Sequence, residues 1–343
     1  ESLKNSHPEF KILLTFFFPS CYEVREDYYW ADVICYLPMD LSWNVKRFLD
    51  IVQPDCAIFI KYEFWMNYLL ELKKRQIKTY IVSAIFRESQ LFFRSYGGFY
   101  RRLLKSFSHL FVQNDESVRL LHSIGVDNVT KVGDTRFDRV ADIAAKSKDL
   151  PIVQAFKSDA KVLIAGSSWP NDENILLPFF NQNLSLKLII APHEIDEGHL
   201  QSIISQLKRP YVRYSQATIE NVKEVDCLII DCFGLLSSIY RYGEIAYVGG
   251  GFGVGIHNIL EAAVYGIPVV FGPNFRKFQE AVDLHQEGGA FVVDSYESFS
   301  QIMSEFLEEN SSLYSSACKV SNDYSQANKG ATSKVVNAIF NQR

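Results

Sequence analysis

The chain has 343 residues, of which 48% are apolar and 22% are charged, and its formal net charge is −5. This composition is typical of folded globular proteins and excludes disordered, collagen-like and coiled-coil chains. The length favours two domains. The negative net charge argues against a broad basic surface, so we expect no nucleic-acid partner. No run of about 18 apolar residues occurs, and we expect these residues to be soluble.

Short apolar runs alternate with amphipathic stretches along the whole chain, which predicts βα units and mainly parallel sheets. In the first half, the predicted strands are 11–17, 57–60, 79–84 and 109–112, and the predicted helices are 44–51, 66–75 and 116–124. In the second half, the predicted strands are 161–165, 186–191, 226–230, 245–248 and 268–271.

The strand-free stretch 140–159 divides these halves, so the sequence predicts two doubly wound, Rossmann-like α/β domains, 1–145 and 146–343. Ligands of such folds bind outside the carboxyl ends of the strands. Two such domains facing one another would place a site in the cleft between them.

The strongest local signal is the segment 247–273, in which a predicted strand ends in a glycine-rich loop. The loop glycines are Gly249, Gly250, Gly251, Gly253 and Gly255. Glycines allow close approach to a ligand, and a helix beginning near His257 would offer free N–H groups to a phosphate. Glu261 would lie one turn inside this helix, on the face of His257, where a carboxylate can bind a ribose diol. A tight turn before an ordinary helix is the alternative, but the combination of loop, His257-Asn258 and Glu261 favours a nucleotide site.

Polar segments also follow other predicted strands of the second half. These are Gly166-Ser167-Ser168, Pro192-His193-Glu194 and Asp231-Cys232-Phe233-Gly234-Leu235. We expect them to converge with the glycine loop on one crevice. For the first of them, an ordinary capped helix start with a proline in its first turn is an equally good explanation.

Two segments of the first half carry candidate side chains. Glu63 lies between aromatic residues at a strand end, where it could act as an acid or base or be the buried partner of a cation. The segment 91–107 interleaves aromatic residues with the cations Arg94, Arg101, Arg102 and Lys105. It suits an anionic lipid or membrane surface, although a solvated helix face with core aromatics is an alternative.

Taken in order, these segments resemble the Kdo transferases, which transfer 3-deoxy-D-manno-octulosonic acid (Kdo) from CMP-Kdo to a lipid A precursor in Gram-negative bacteria. The resemblance extends from near Glu1 to about Phe306. In detail, the motif residues are similar to those of the Bacteroidetes-type branch of the family. The segments that carry it are 37–40, 47–49, 62–67, 133–138, 166–168, 190–193, 247–250, 257–261 and 271–273.

The resemblance implies a GT-B glycosyltransferase with an acceptor-binding first domain and a CMP-Kdo-binding second domain. Its CMP-binding positions fall on Pro192, His193, Phe233, Gly234, Leu235, Asn258, Ile259, Leu260 and Glu261. Further donor contacts would come from Gly166, Ser167, Ser168, Gly250, Gly251 and His257, and acceptor contacts from Arg94, Arg101, Arg102 and Lys105. Glu63 matches a family carboxylate on the acceptor side. The reaction would be inverting and need neither metal nor cofactor, at the cytoplasmic face of the inner membrane.

This chain departs from the family pattern at several points. His193 stands where many members have Arg, and Phe233-Gly234-Leu235 stands where they have Met-Gly-Glu. The family's proposed base, a Glu in a Ser-x-Gly-Glu motif, and its membrane anchor precede the position of Glu1, so we expect the base to lie outside these 343 residues. The alternatives are a UDP-sugar-dependent GT-B transferase or epimerase, and a non-catalytic nucleotide-sugar binding module.

Overall fold

The computed structural model describes residues 1–23, 25, 27–147 and 149–341. The chain divides into two compact units. Unit 1 comprises Glu1–Thr135 and the residues from Gly330 onward, and unit 2 comprises Arg136–Lys329.

Unit 1 contains a four-stranded parallel sheet and a separate parallel pair of strands. Its strands are β1 (Leu13–Phe16), β2 (Val33–Tyr36), β3 (Cys56–Ile60), β4 (Lys78–Ala84), β5 (His109–Val112) and β6 (Val129–Lys131). β1 pairs with β2, and the larger sheet has the order β3-β4-β5-β6. The helices are α1 (Ser2–Ser6), α2 (Pro19–Glu23), α3 (Ser42–Val52), α4 (Met66–Lys74), α5 (Gly98–Leu104) and α6 (Asp115–Ser123).

Unit 2 is built on a seven-stranded parallel sheet. Its strands are β7 (Lys161–Ser168), β8 (Leu186–Pro192), β9 (Tyr211–Arg213), β10 (Cys227–Ile229), β11 (Ile245–Val248), β12 (Val269–Phe271) and β13 (Ala290–Val292), in the order β13-β12-β11-β7-β8-β10-β9. The helices are α7 (Thr135–Ala145), α8 (Pro151–Lys157), α9 (Pro170–Gln182), α10 (Glu197–Gln206), α11 (Leu236–Ile239), α12 (Leu260–Ala263), α13 (Gln279–Glu287), α14 (Tyr296–Leu307) and α15 (Ser312–Ala327).

The central strands of unit 2 are buried on both faces, which explains their continuous apolar runs. Along β7, Val162 and Ile164 belong to one hydrophobic core, whereas Leu163 and Ala165 belong to another. Successive side chains of a strand point to opposite faces, so the sheet separates two cores.

The units do not divide where the sequence analysis placed the boundary. The structure divides them between residues 135 and 136, ten residues before the predicted position, because Phe137 and Val140 of α7 are buried in the core of unit 2. The last helix, α16 (Ala331–Phe340), was assigned to the second domain but belongs to unit 1, where Val335 packs against Val82 and Phe111.

All nine predicted strands are found, with bounds that shift by a few residues. Among the helices that the structure describes, none combines the length and the apolar character needed to cross a membrane.

Candidate functional site

The carboxyl edge of the unit 2 sheet gathers the strand-end segments singled out in the sequence. The Gly249 N–H donates to the carbonyl of Gly166 across 2.9 Å, and the His193 N–H donates to that of Ser168 across 2.9 Å. α11 and the turn that follows it cover the same edge, since a Cβ at Gly166 would lie 2.0 Å from the Tyr240 hydroxyl. The glycine loop, Gly166-Ser167-Ser168 and Pro192-His193 therefore meet at one edge within unit 2, as predicted for these three segments.

The glycine loop is packed tightly against its own protein. A Cβ at Gly249 would lie 2.2 Å from the carbonyl oxygen of Ser167, and one at Gly251 would lie 2.6 Å from the backbone of Gly272. Gly250 has φ +91°, and a Cβ there would lie 2.5 Å from the carbonyl oxygen of Gly255 and 3.1 Å from the ring of His257. These glycines are needed for the packing of the loop itself.

The helix behind the loop begins later than predicted. α12 starts at Leu260 and has four residues, so His257 precedes it and shares no helix face with Glu261. Most loop N–H groups are already bound within the protein. The donors with such partners are Gly249, Gly250, Gly253, Gly255, Ile256, His257 and Leu260. The prediction that this loop and helix supply free N–H groups to a phosphate is wrong for these seven residues.

Asn258 and Glu261 form a hydrogen-bonded pair at the end of the loop. The Asn258 amide donates to the Glu261 carboxylate across 3.0 Å, and its oxygen accepts from the Leu260 N–H. Burial raises the pKa of Tyr240, and the nearby Glu261 charge adds to this effect. Glu261 is half-buried, whereas Ile259 and Leu260 are buried in the core, so these two would meet a ligand only through their backbone.

Three rings meet at the same edge. The Trp169 indole N–H donates to Nε2 of His257 across 3.2 Å. The His193 ring stacks on both partners, with centroid distances of 4.7 Å to Trp169 and 4.4 Å to His257. Burial lowers the pKa of His257, and the neighbouring His193 lowers it further, whereas Asp172 opposes the shift.

A buried carboxylate lies beneath these rings. Asp172 is fully buried and accepts the backbone N–H groups of Trp169 and Gly250, at 2.9 and 3.0 Å, and the hydroxyl of Tyr247 at 2.7 Å. It thereby joins the start of α9, the end of β11 and the glycine loop. Burial and the Asp172 charge raise the pKa of Tyr247, which keeps its hydroxyl protonated as the donor.

The next residue, Glu173, forms a second buried network. It accepts the Ser168 hydroxyl at 2.8 Å and lies 3.0 Å from Nε2 of His199. Burial raises the pKa of Glu173, and the bonds from Ser168 and His199 oppose the shift. No role was predicted for these two acids from the sequence, although two acidic residues in the first turn after Trp169-Pro170 are the signal of a capped helix start.

The remaining predicted donor-site residues differ in exposure. Phe233 is 80% exposed, Gly234 has φ +88°, and Leu235 is half-buried. Pro192 and Ser168 are buried. Because the Ser168 hydroxyl donates to Glu173, this side chain belongs to the framework of the site.

In unit 1, Glu63 follows β3 and accepts the indole N–H of Trp65. The Trp65 ring packs on Phe17, which follows β1, at a centroid distance of 4.6 Å. Asp40 accepts the backbone N–H groups at the start of α4, from Asn67 and Tyr68 at 3.2 Å each. The segments 37–40 and 62–67 thus form one hydrogen-bonded assembly.

The basic aromatic segment, residues 91–107, has features of both predicted alternatives, since some of its aromatic residues are buried in the core and others are exposed beside cations. Phe92 and Phe107 are buried, whereas Tyr96 is 73% and Phe99 50% exposed. The Arg101 guanidinium donates to two carbonyls of its own segment, so it stabilises the fold locally. Arg94, Arg102 and Lys105 are exposed.

An apolar concave site of about 490 Å³ adjoins this segment. Its lining includes Phe64, Met66, Leu91, Phe92, Phe99 and Tyr100. The volume is within the range of small-molecule sites, roughly 300–1,000 Å³.

In comparisons with known proteins, a family model and the relatives of this chain carry the same description. A family model described as 3-deoxy-D-manno-octulosonic-acid transferase (kdotransferase) matches residues 1–139. The chain is 30% identical over 300 residues to a 3-deoxy-D-manno-octulosonic acid transferase of Aquifex aeolicus, covering 85% of this chain and 77% of the relative. A transferase of the same name from Rickettsia bellii is 28% identical, with 80% of this chain and 67% of the relative covered.

The fold is similar to that of solved structures with low sequence identity to this chain. UDP-GlcNAc 2-epimerase from Neisseria meningitidis, solved with UDP-GlcNAc, matches with a TM-score of 0.67 at 17% identity, covering 97% of this chain and 92% of the epimerase. The two α/β units and these neighbours confirm the predicted α/β, GT-B fold class.

Proposed function

Because the chain belongs to the 3-deoxy-D-manno-octulosonic acid (Kdo) transferase family of glycosyltransferases, we propose that it transfers Kdo from CMP-Kdo to a lipid A precursor of the lipid IVA type. We propose further that the reaction is inverting and metal-independent, and that the complete protein acts at the cytoplasmic face of the inner membrane. The Asn258–Glu261 pair at the end of the glycine loop carries the donor part of this proposal.

Unit 2 would hold the CMP part of the donor. A ribose diol presents two hydroxyl donors, which match the two oxygens of one carboxylate. Glu261 is half-buried and is oriented by Asn258, so it meets this need without first being ordered by the ligand. Phe233, Gly234, Leu235, Pro192 and His193 would form the rest of the nucleotide pocket.

The chemistry would be a single displacement. A base removes the proton of the acceptor hydroxyl, the oxygen attacks the anomeric carbon of Kdo, and the bond to the CMP phosphate breaks with its electron pair leaving on CMP. The resemblance assigns the base to the segment that precedes Glu1 in the family, with Glu63 in a supporting role. The charge that develops on CMP would be offset by side chains, because most loop amides have internal partners.

The basic aromatic segment supports a lipid acceptor. Exposed cations and aromatic rings together favour anionic lipid surfaces. The apolar concave site beside Phe99 could receive an acyl chain, while Arg94 and Arg102 attract the phosphate groups of the precursor. This combination would suit an amphiphilic anion better than a free sugar.

The donor assignment is tested by calorimetric titration with CMP and with UDP, without metal. We expect preference for CMP and a loss of roughly a hundredfold in affinity for Glu261→Ala, as for two charge-assisted hydrogen bonds. Glu297→Ala is the matched control, since Glu297 is also the second residue of a unit 2 helix. Preference for UDP would favour the epimerase-like or UDP-sugar alternative, and equal affinity of both variants would contradict the role of Glu261.

Transfer itself is assayed with a chain that includes the segment to which the resemblance assigns the base. We expect Kdo transfer from CMP-Kdo to persist in excess chelator, and NMR of the product to show inversion at the anomeric carbon. Within the described residues, no group of three or more His, Cys, Asp or Glu side chains is placed to hold a metal. Absence of transfer would favour a nucleotide-sugar binding module.

The acceptor assignment is tested with acylated and deacylated precursor. Phe99→Asp should reduce transfer to the acylated acceptor and leave transfer to the deacylated one unchanged. Tyr96→Asp is the control, because Tyr96 lies in the same segment but does not line the apolar site. Equal losses for both variants would instead indicate general membrane attachment.

A further inference from the structure

The contact between Trp169 and His257 determines where the proton of His257 lies. An indole nitrogen can only donate a hydrogen bond. Nε2 of His257, which accepts this bond at 3.2 Å, must therefore carry a lone pair. The neutral ring then has its proton on Nδ1, because the bond made by one ring nitrogen sets the state of the other.

Nδ1 of His257 is open to solvent. No described residue accepts a hydrogen bond from it, and no buried side-chain nitrogen or oxygen in the described part of the chain lacks a partner. Gly250 and Trp169 lie on the side of the ring that carries Cδ2 and Nε2, away from Nδ1. His257 thus presents one N–H donor outward from the edge where the loops converge.

The same pair supports His193. Trp169 and His257 meet edge to edge, and the His193 ring stacks on both, with interplanar angles of 25° and 28°. His193 is itself exposed. The rings lie beside a loop whose amides are mostly bound internally, which leaves side chains as the donors for an anionic group.

We infer that Trp169 is a positioning residue for the donor nucleotide: its indole N–H holds His257 as the Nδ1–H tautomer, and the pair supports His193, so that two imidazoles face the phosphate of the donor. This inference rests on the proposed function, because it takes the bound anion to be that of a CMP-linked sugar. The lowered pKa of His257 agrees with it, since a protonated ring could not accept the Trp169 bond. The titratable groups that affect His257 are His193 and Asp172.

The test is a double-mutant cycle with CMP as the probe. Trp169→Phe keeps an aromatic ring for stacking and removes the N–H. In the wild-type background we expect it to weaken CMP binding about fivefold, the scale of one hydrogen bond. In a His257→Ala background the same change should have no effect, because the two residues act as a unit. An equal loss in both backgrounds would show that Trp169 acts through packing alone and would overturn the inference.

Nitrogen-15 NMR of the histidine rings gives a readout independent of CMP. In the wild type, His257, identified by the signal lost in His257→Ala, should show protonated Nδ1 and unprotonated Nε2. In Trp169→Phe, the tautomers should mix and the pKa should rise toward the ordinary value of about 6.5. Trp43→Phe in unit 1 is the matched control and should leave His257 unchanged. An unchanged tautomer in Trp169→Phe would refute the inference. Failure of the wild type to bind CMP would overturn the proposed function, while the NMR arm would still decide whether Trp169 fixes His257.

Discussion

The residues at the carboxyl ends of the strands differ between the two units. In unit 2, the edge rests on buried polar groups, with Asp172 and Glu173 accepting hydrogen bonds from neighbouring strands and loops. In unit 1, the residues that follow β1 and β3 include exposed aromatics, such as Phe18 and Tyr62. A satisfied polar network holds a small polar ligand in a fixed geometry. An exposed apolar surface suits an amphiphilic partner. Similar parallel sheets are thus specialised by what surrounds their strand ends.

The largest effect that would break this contrast comes from Asp172→Ala. Three donors, from Trp169, Gly250 and Tyr247, would lose their acceptor in a buried place. We expect the free energy of unfolding to fall by about 3–5 kcal/mol and CMP binding to be lost. Urea unfolding followed by far-ultraviolet circular dichroism measures the first, and calorimetry the second.

Asp196→Ala is the control for this change. Asp196 also accepts a backbone N–H at the start of a helix, that of His199 at 3.0 Å, but it is exposed. Its loss should cost about 1 kcal/mol, as for an ordinary helix cap. If both variants lost the same stability, the buried network would not distinguish the edge of unit 2.

The next largest effect concerns Glu173 and depends on pH. Nδ1 of His199 donates to the carbonyl of Glu194, so the remaining proton of the pair lies between Nε2 and Glu173. Because burial raises the pKa of Glu173 above its ordinary 4.5, the stability it contributes is complete below about pH 4.5 and declines as pH rises through the folded value. Glu173→Gln, which mimics the protonated acid, should remove this decline at a cost below about 1 kcal/mol.

Glu173→Ala should behave differently, because it leaves the Ser168 hydroxyl and His199 without their partner. We expect a loss of about 3 kcal/mol in urea unfolding at neutral pH. Glu197→Ala is the control, since Glu197 is 64% exposed in its pair with Arg213 and should contribute little. A pH profile of Glu173→Gln that matched the wild type would contradict the assignment of the decline to this carboxyl.

The fold could be predicted where strands are buried and apolar. β7, β8 and β11 are continuous buried runs, and the sequence analysis found each of them. β6, β9 and β13 are three-residue strands at the edges of their sheets, and they were missed. β6 and β9 mix polar with apolar residues, and β13 is apolar but too short to be distinguished from a loop.

The site was predictable in location but not in its hydrogen bonding. Glycine spacing and strand ends locate the loop, yet the same glycines would suit a ligand or the protein's own backbone. Only the structure shows that Gly251 packs against the backbone of Gly272 and that the Asp172 carboxylate accepts a hydrogen bond from the Gly250 N–H. The ring stack was missed for a similar reason, since Trp169, His193 and His257 are distant in sequence and become neighbours only through strand order.

The smallest expected effect concerns Glu63 in unit 1 and tests whether this unit takes part in the chemistry. Glu63→Gln keeps an oxygen that can accept the Trp65 N–H and removes the charge. If Glu63 supports the reacting acceptor, kcat for transfer should fall about tenfold, less than the roughly hundredfold or more expected for the acid or base itself. CMP affinity should not change, because the proposed nucleotide-binding residues lie in unit 2. Glu88→Gln, at an exposed position of unit 1, is the control, measured with the chain extended upstream of Glu1. An unchanged kcat would assign Glu63 to the local bond with Trp65 alone, and the exposed aromatic edge of unit 1 would then act in binding rather than in chemistry.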